Sequence, residues 1–270
     1  MLLAINLVVT MAVMVGLWGL STKLDDPSFV DAWWPMGFVV IAWLSVGLGD
    51  GDSIRSLLLA VLTTIWGLRL GGYLFWRWRR NGPDKRYVAM LRHAPGNPHV
   101  FTLKKVFLLQ GALLWVVSLP LQLGAGSSTD GIGPLALVGA AVAVVGIAFE
   151  SIGDLQLVRF KADPAHDGRV MDQGLWRYTR HPNYFGDACL WWGLFLVALS
   201  SPLTIVAIVG PLVMTFLLAK WSGVGPLERR LTRHKPDYVD YVARTSGFVP
   251  LPPRSRARND SRSTIERSTS

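Results

Sequence analysis

The sequence predicts an all-α fold, a polytopic membrane helix bundle, and three observations predict it. Apolar residues arrive in seven runs of about 18 or more with almost no charge, the length needed to cross hydrocarbon. The connections between the runs alternate between cation-rich and cation-poor. The runs also take up over half of the 270 residues, which leaves no room for a second, soluble domain with its own core.

Residues 3–21 form the first run. No Lys or Arg precedes it, so it lacks the basic leader of a cleaved signal peptide and reads as a retained helix. The next three runs cover 29–48, 54–77 and 104–123. The fifth, 132–159, is longer than a bilayer requires; at about 1.5 Å per residue its last two turns project beyond the hydrocarbon. The sixth, 184–200, ends at Ser200-Ser201-Pro202, a break that turns the chain into the seventh at 203–221. Beyond it, 226–244 reads as an interfacial helix. Residues 1–251 then make one membrane-embedded domain, and 252–270, rich in Arg, Ser and Asp, a disordered basic tail.

Orientation follows from the cations. Segment 77–105 holds eight Lys and Arg, 157–183 holds five, and 220–270 holds eleven, whereas the connections at 49–56, 124–131 and 200–202 hold only Arg55. The N-terminus is therefore expected outside and the C-terminus in the cytoplasm, for a bacterial protein in the inner membrane. The net charge of +9 is the same bias and not a nucleic-acid surface. The single Cys189 excludes an internal disulfide, and His166, His181 and His234 are too scattered for a metal site.

A charged side chain in hydrocarbon costs at least about 2.5–3.5 kcal/mol on insertion scales, so each one demands a reason. Asp31, Arg69, Glu150, Asp154 and Asp187 are such residues, with Gln156 and Arg159 further along. Tyr73 follows Arg69 by one turn, and Glu150 and Asp154 share a helical face. With the orientation above they all fall in the cytoplasmic half, as a cavity opening to the cytoplasm requires. Interhelical ion pairs are the structural alternative, but buried pairs are poor stabilisers once desolvation is counted.

The densest signal is the stretch from Gly174 to Asp187. Pro182 suits the first turn of the sixth helix, whose free amides and positive dipole favour an anion. Arg180 and His181 lie just ahead of it, and Asn183 can donate to and accept from a carboxamide. Neither a Rossmann nor a Walker pattern is present, so any nucleotide is held by side chains of membrane helices. Trp33 and Trp34, beside Asp31, suit the wall of an apolar cavity.

This stretch resembles the signature of the steroid 5α-reductase superfamily, in particular its bacterial branch, over residues 25 to 252. The closing segment, Pro226-Leu227-Glu228-Arg229-Arg230 through Tyr238, Tyr241, Phe248 and Pro250, shares the likeness. The resemblance implies NADPH bound from the cytoplasm and reduction of an activated C=C bond in a lipid or steroid-like substrate. It implies that Asn183 and Asp187 hold the nicotinamide end and that Asp154 and Lys161 contact the cofactor. It likewise implies that Arg69 and Tyr73 match a family pair, that Arg80 lies near the adenosine phosphate, that Arg180 and His181 flank the phosphates, and that Tyr184 is among the cofactor-binding residues. The chain departs from the steroid enzymes in lacking their Gln-Glu pair on the second span and in carrying Trp66 where they have a Tyr. The cofactor half matches and the substrate half does not.

Reduction also needs a proton donor, and Asp31, Glu150 and Tyr184 are the candidates. Two other readings stay open. The Arg-His-Pro element and Tyr-rich ending are similar to the isoprenylcysteine carboxyl methyltransferases, which use S-adenosylmethionine, although those carry adjacent glutamates where this chain has Glu228 followed by Arg229. A non-catalytic lipid-binding or transport protein is the third, without the internal repeat that transporters often show. Oligomeric state is not legible.

Overall fold

The computed structural model describes residues 1–49, 54–126, 131–221, 228, 231–232 and 237–254. Its helices are α1 (Leu2–Leu24), α2 (Val30–Leu48), α3 (Ile54–Asn81), α4 (Lys85–Arg92), α5 (Pro98–Val117), α6 (Leu119–Ala125), α7 (Pro134–Ala162), α8 (Pro182–Ala198), α9 (Pro202–Trp221) and α10 (Asp237–Arg244). No strand occurs among the described residues. Six helices (α1, α2, α3, α5, α7 and α9) are long and apolar enough to cross a membrane. The sixth run, read at 184–200, is α8, whose 17 residues span about 25 Å. Leu137, Val138, Val144 and Val145 on α7 are all exposed, an apolar surface suited to lipid and not to water.

The fourth run departs from its expected bounds of 104–123. Asn97 caps α5, its side chain accepting from the His99 amide at 2.8 Å, and Pro98 fills the first position. The helix therefore begins ahead of Lys104 and Lys105 and carries both on its exposed surface. It stops before Ser118, because Pro120 has no N–H to continue the ladder. The Trp115 carbonyl at this break is met by the Ser118 hydroxyl at 2.9 Å and by Gln122 Nε2 at 3.0 Å. Of the interfacial helix read at 226–244, α10 and the helical Glu228, Leu231 and Thr232 are described; its other residues and 255–270 lie outside the described residues.

The chain forms two compact units. The first comprises Met1–Ala148 and Gly186–Leu218. Within it α1 and α5 run antiparallel, tied at one end by Trp18 Nε1 donating to the His99 carbonyl at 2.8 Å and at the other by Trp115 Nε1 donating to the Leu3 carbonyl at 2.9 Å. Its core is aromatic. Phe38, Trp66 and Trp191 meet with ring centroids 4.5–5.8 Å apart, and both Trp side chains are wholly buried.

Glycine governs how closely α7 and α8 approach in this unit. A Cβ at Gly146 would lie 2.5 Å from the Gly186 carbonyl oxygen, and one at Gly139 would lie 2.7 Å from that of Gly193. The two positions are seven apart, so they recur on one face of α7.

The second unit comprises Phe149–Phe185 and the chain from Ala219 onward. It holds the C-terminal turns of α7, the segment 163–181, the first turn of α8, Glu228, α10 and residues 245–254.

Candidate functional site

The second unit is organised around the start of α8. Gly174 opens a short turn with φ +57°, a left-handed conformation that glycine adopts without strain, and a Cβ there would strike the Gln156 side chain. Gln156 Oε1 instead accepts the Leu175 amide at 3.0 Å. Trp176 Nε1 donates to the Gly153 carbonyl at 3.0 Å, which fixes this turn to α7. The Trp176 carbonyl in turn accepts from the Tyr241 hydroxyl on α10.

The next residues pair with the chain end. Thr179 and Ser246 form an isolated parallel bridge, the Arg180 amide donates to the Ser246 carbonyl at 2.9 Å, and the Thr179 hydroxyl donates to the Phe248 carbonyl at 2.8 Å. Arg180 then spends its guanidinium inside the protein. Nε and Nη2 reach the two Glu228 oxygens at 2.7 and 3.2 Å, and Nη1 donates to the carbonyls of Val242 at 3.1 Å and Thr245 at 2.5 Å. His181, 1% exposed, places Nε2 3.0 Å from the same Glu228 Oε1 and stacks on the Tyr184 ring.

Burial pushes the Glu228 carboxyl upward, but the hydrogen bonds and charges of His181 and Arg180 outweigh it and hold the group at about 2. The phenols of Tyr238 and Tyr241 are pushed up, chiefly by burial. Arg180 and His181, expected beside a phosphate, are thus gathered around a carboxylate of the chain itself. Nothing local in the sequence announced that pairing, since Glu228 lies 48 residues from Arg180.

Two of the expected site residues, read separately in the sequence, meet directly. Asn183 Nδ2 donates to Asp154 Oδ1 at 3.1 Å, joining the first turn of α8 to α7. Gly153 makes room for it, because a Cβ there would come within 3.1 Å of Pro182 and 3.3 Å of the Asn183 amide nitrogen. Glu150 and Asp154 are both buried, at 3% and 6% exposed. Lys161, two turns beyond Asp154, is exposed. The unit thus offers a buried carboxylate in register with an oriented carboxamide, a combination of acceptor and mixed donor–acceptor that complements a primary amide.

The remaining expected residues belong to the first unit. Asp31 accepts from Tyr87 OH at 2.6 Å and from Arg86 Nη2 at 2.8 Å, and Gln110 Nε2 donates to the same Tyr87 oxygen at 3.0 Å. Burial and the Asp31 charge push the Tyr87 phenol well above its ordinary range, while Arg86 holds the neighbouring Asp84 carboxyl low against its burial. Tyr87 and Gln110 had no signal in the sequence; helix α4, which carries Tyr87, lies between the apolar runs. Arg69 is half-buried, Asp187 is 7% exposed, and Tyr73 stacks on Trp76 with the Arg77 guanidinium 5.9 Å from its ring centre. Arg80 is exposed and lies over the Trp76 ring at 5.5 Å. Trp66, expected where the steroid enzymes carry a Tyr, is locked in the aromatic core.

Long apolar helices with lipid-suited faces are those of an integral membrane protein. The chain belongs to the family described as Protein of unknown function (DUF1295), whose model matches residues 17–245. It is similar to an uncharacterized protein of Schizosaccharomyces pombe, 25% identical over 266 residues that cover 87% of this chain and 75% of that protein. No solved structure matches.

Proposed function

We propose that the protein is a membrane-bound reductase of the steroid 5α-reductase superfamily, which takes hydride from NADPH to reduce an activated C=C bond in a lipid such as a steroid-like enone. It has seven spans, counting α8, with the N-terminus outside and the cofactor entering from the cytoplasm. The observation that carries this reading is the hydrogen bond from Asn183 to Asp154. Asp154 holds the Asn183 carboxamide in one orientation, and the pair together suits the carboxamide of a nicotinamide ring. When bound, the cofactor supplies the hydride; the chain orients it and excludes water.

For the proton, Glu150 is the favoured donor, because it is buried one turn from Asp154 on the same face of α7. Asp31 is engaged by Arg86 and Tyr87, and the Tyr184 ring is stacked on His181. Lys161, exposed beyond Asp154, suits a phosphate at the cytoplasmic end.

One observation favours a second reading. The Arg180-His181-Pro182 element packs with the Tyr-rich ending through Glu228, and those two elements are what the resemblance to S-adenosylmethionine-dependent methyltransferases rests on, although those carry adjacent glutamates where this chain has Glu228 followed by Arg229. Both cofactors are therefore titrated into one detergent preparation and thermal stabilisation is read. NADPH is expected to stabilise the wild type and to lose that effect in Asn183→Ala. Stabilisation by S-adenosylmethionine alone selects the methyltransferase. No shift with saturating NADPH overturns the reductase.

A further inference from the structure

A groove opens at the N-terminal end of α5, lined by none of the site residues assigned above. Its volume is about 310 Å³, at the small end of ligand sites, and Pro95, Asn97, Val100, Phe101, Lys104 and Lys105 line it. None of the six is acidic. Residues Leu103–Leu108 adopt a π-helix, whose wider turn rotates successive side chains through a smaller angle than an α-helix does. Lys104 and Lys105, though adjacent in sequence, therefore both face the groove, and both are exposed. The Trp18 indole, bonded to the His99 carbonyl, fixes the same end of α5 against α1. A Trp anchor, a pair of lysines and an apolar wall at one end of two membrane helices have the chemistry of the hydrocarbon–headgroup boundary.

We propose that this groove is a binding site for an anionic phospholipid. Lys104 and Lys105 take the phosphate, and Val100, Phe101 and Pro95 take the glycerol and the first acyl carbons. Two exposed cations without an acid between them gain more from a net-negative headgroup than from a zwitterionic choline one, whose own ammonium offsets its phosphate. The site is independent of the reading given to Asn183 and Asp154.

Native mass spectrometry of the full-length protein from detergent tests it, with phosphatidylglycerol and phosphatidylcholine as probes. One phosphatidylglycerol is expected to stay bound about five-fold more tightly than phosphatidylcholine. Lys104→Gln/Lys105→Gln is expected to remove that preference, while Arg92→Gln/Lys220→Gln, which deletes the same charge elsewhere, keeps it. Val100→Trp, which fills the groove and leaves every charge in place, is expected to lose the adduct as well. This variant decides the matter should the double lysine variant not fold. Equal retention by all variants, or equal binding of the two lipids, overturns the proposal. Displacement of the lipid by millimolar inorganic phosphate also overturns it, and marks a free-anion site instead.

Discussion

Arg180 holds Glu228 at two points, Nε to Oε1 at 2.7 Å and Nη2 to Oε2 at 3.2 Å. The pair is mostly shielded from solvent, with side chains 12% and 20% exposed, so removing one partner leaves a costly charge behind. Glu228→Gln is expected to lower stability by about 2 kcal/mol at neutral pH, read from thermal unfolding in detergent. An unchanged midpoint would show that the pair is only a surface contact.

The same pair predicts an acid sensitivity. Glu228 is held at about 2, below its ordinary 4.5, so its ionised form is favoured in the folded protein. That contribution is complete above pH 4.5 and drains away as the pH falls toward 2. The stability gap between wild type and Glu228→Gln should therefore close over that interval. A gap that stays constant down to pH 2.5 contradicts the assignment.

Gly146→Ala should destabilise, because its new methyl would lie 2.5 Å from the Gly186 carbonyl and 2.6 Å from the Leu190 amide nitrogen. Backbone cannot rotate aside as a side chain does, so the expected loss is about 2–3 kcal/mol. Gly72→Ala is the control. Nothing lies within 4 Å of its added carbon, and the gain in helix propensity makes it neutral or stabilising by up to about 1 kcal/mol.

Arg55 is 5% exposed and bridges the Val197 carbonyl near the end of α8, at 2.6 Å, and the Gly131 carbonyl, at 3.0 Å. A planar fork serves two acceptors where an ammonium serves as one compact point of charge. Arg55→Lys is thus expected to cost about 1–2 kcal/mol, and unfolding midpoints of the purified variant would reveal it.

Asn183→Ala removes the donor to Asp154 and is expected to cost about 1 kcal/mol of stability without NADPH. Its effect on cofactor binding should be far larger than its effect on folding. Equal, small effects on both would make the pair a structural link only.

The helices were legible because hydrocarbon imposes a length, and run length is a property of the sequence alone. The start of α5 was misplaced because Lys104 and Lys105 looked like a boundary, whereas Asn97-Pro98 was the true start signal and stood in plain view. The α7 glycines were equally visible but carry no meaning until another backbone is seen against them. Asp154 was found as a charge within an apolar run and Asn183 within the stretch from Gly174 to Asp187, but nothing in the sequence joined the two. Tyr87 and Glu228 were not found in this way, since neither sits within an apolar run and each is explained only by a partner 56 or 47 residues away.

The bridge between Thr179 and Ser246 sets an order of assembly. Helices α1 to α8 are all synthesised before residues 228–248 have been made. Arg180 must wait through that interval with its future acceptors still untranslated, and the first turn of α8 gains its brace only when synthesis is nearly over. A chain that ends between α9 and α10 would therefore lack the latch on α8.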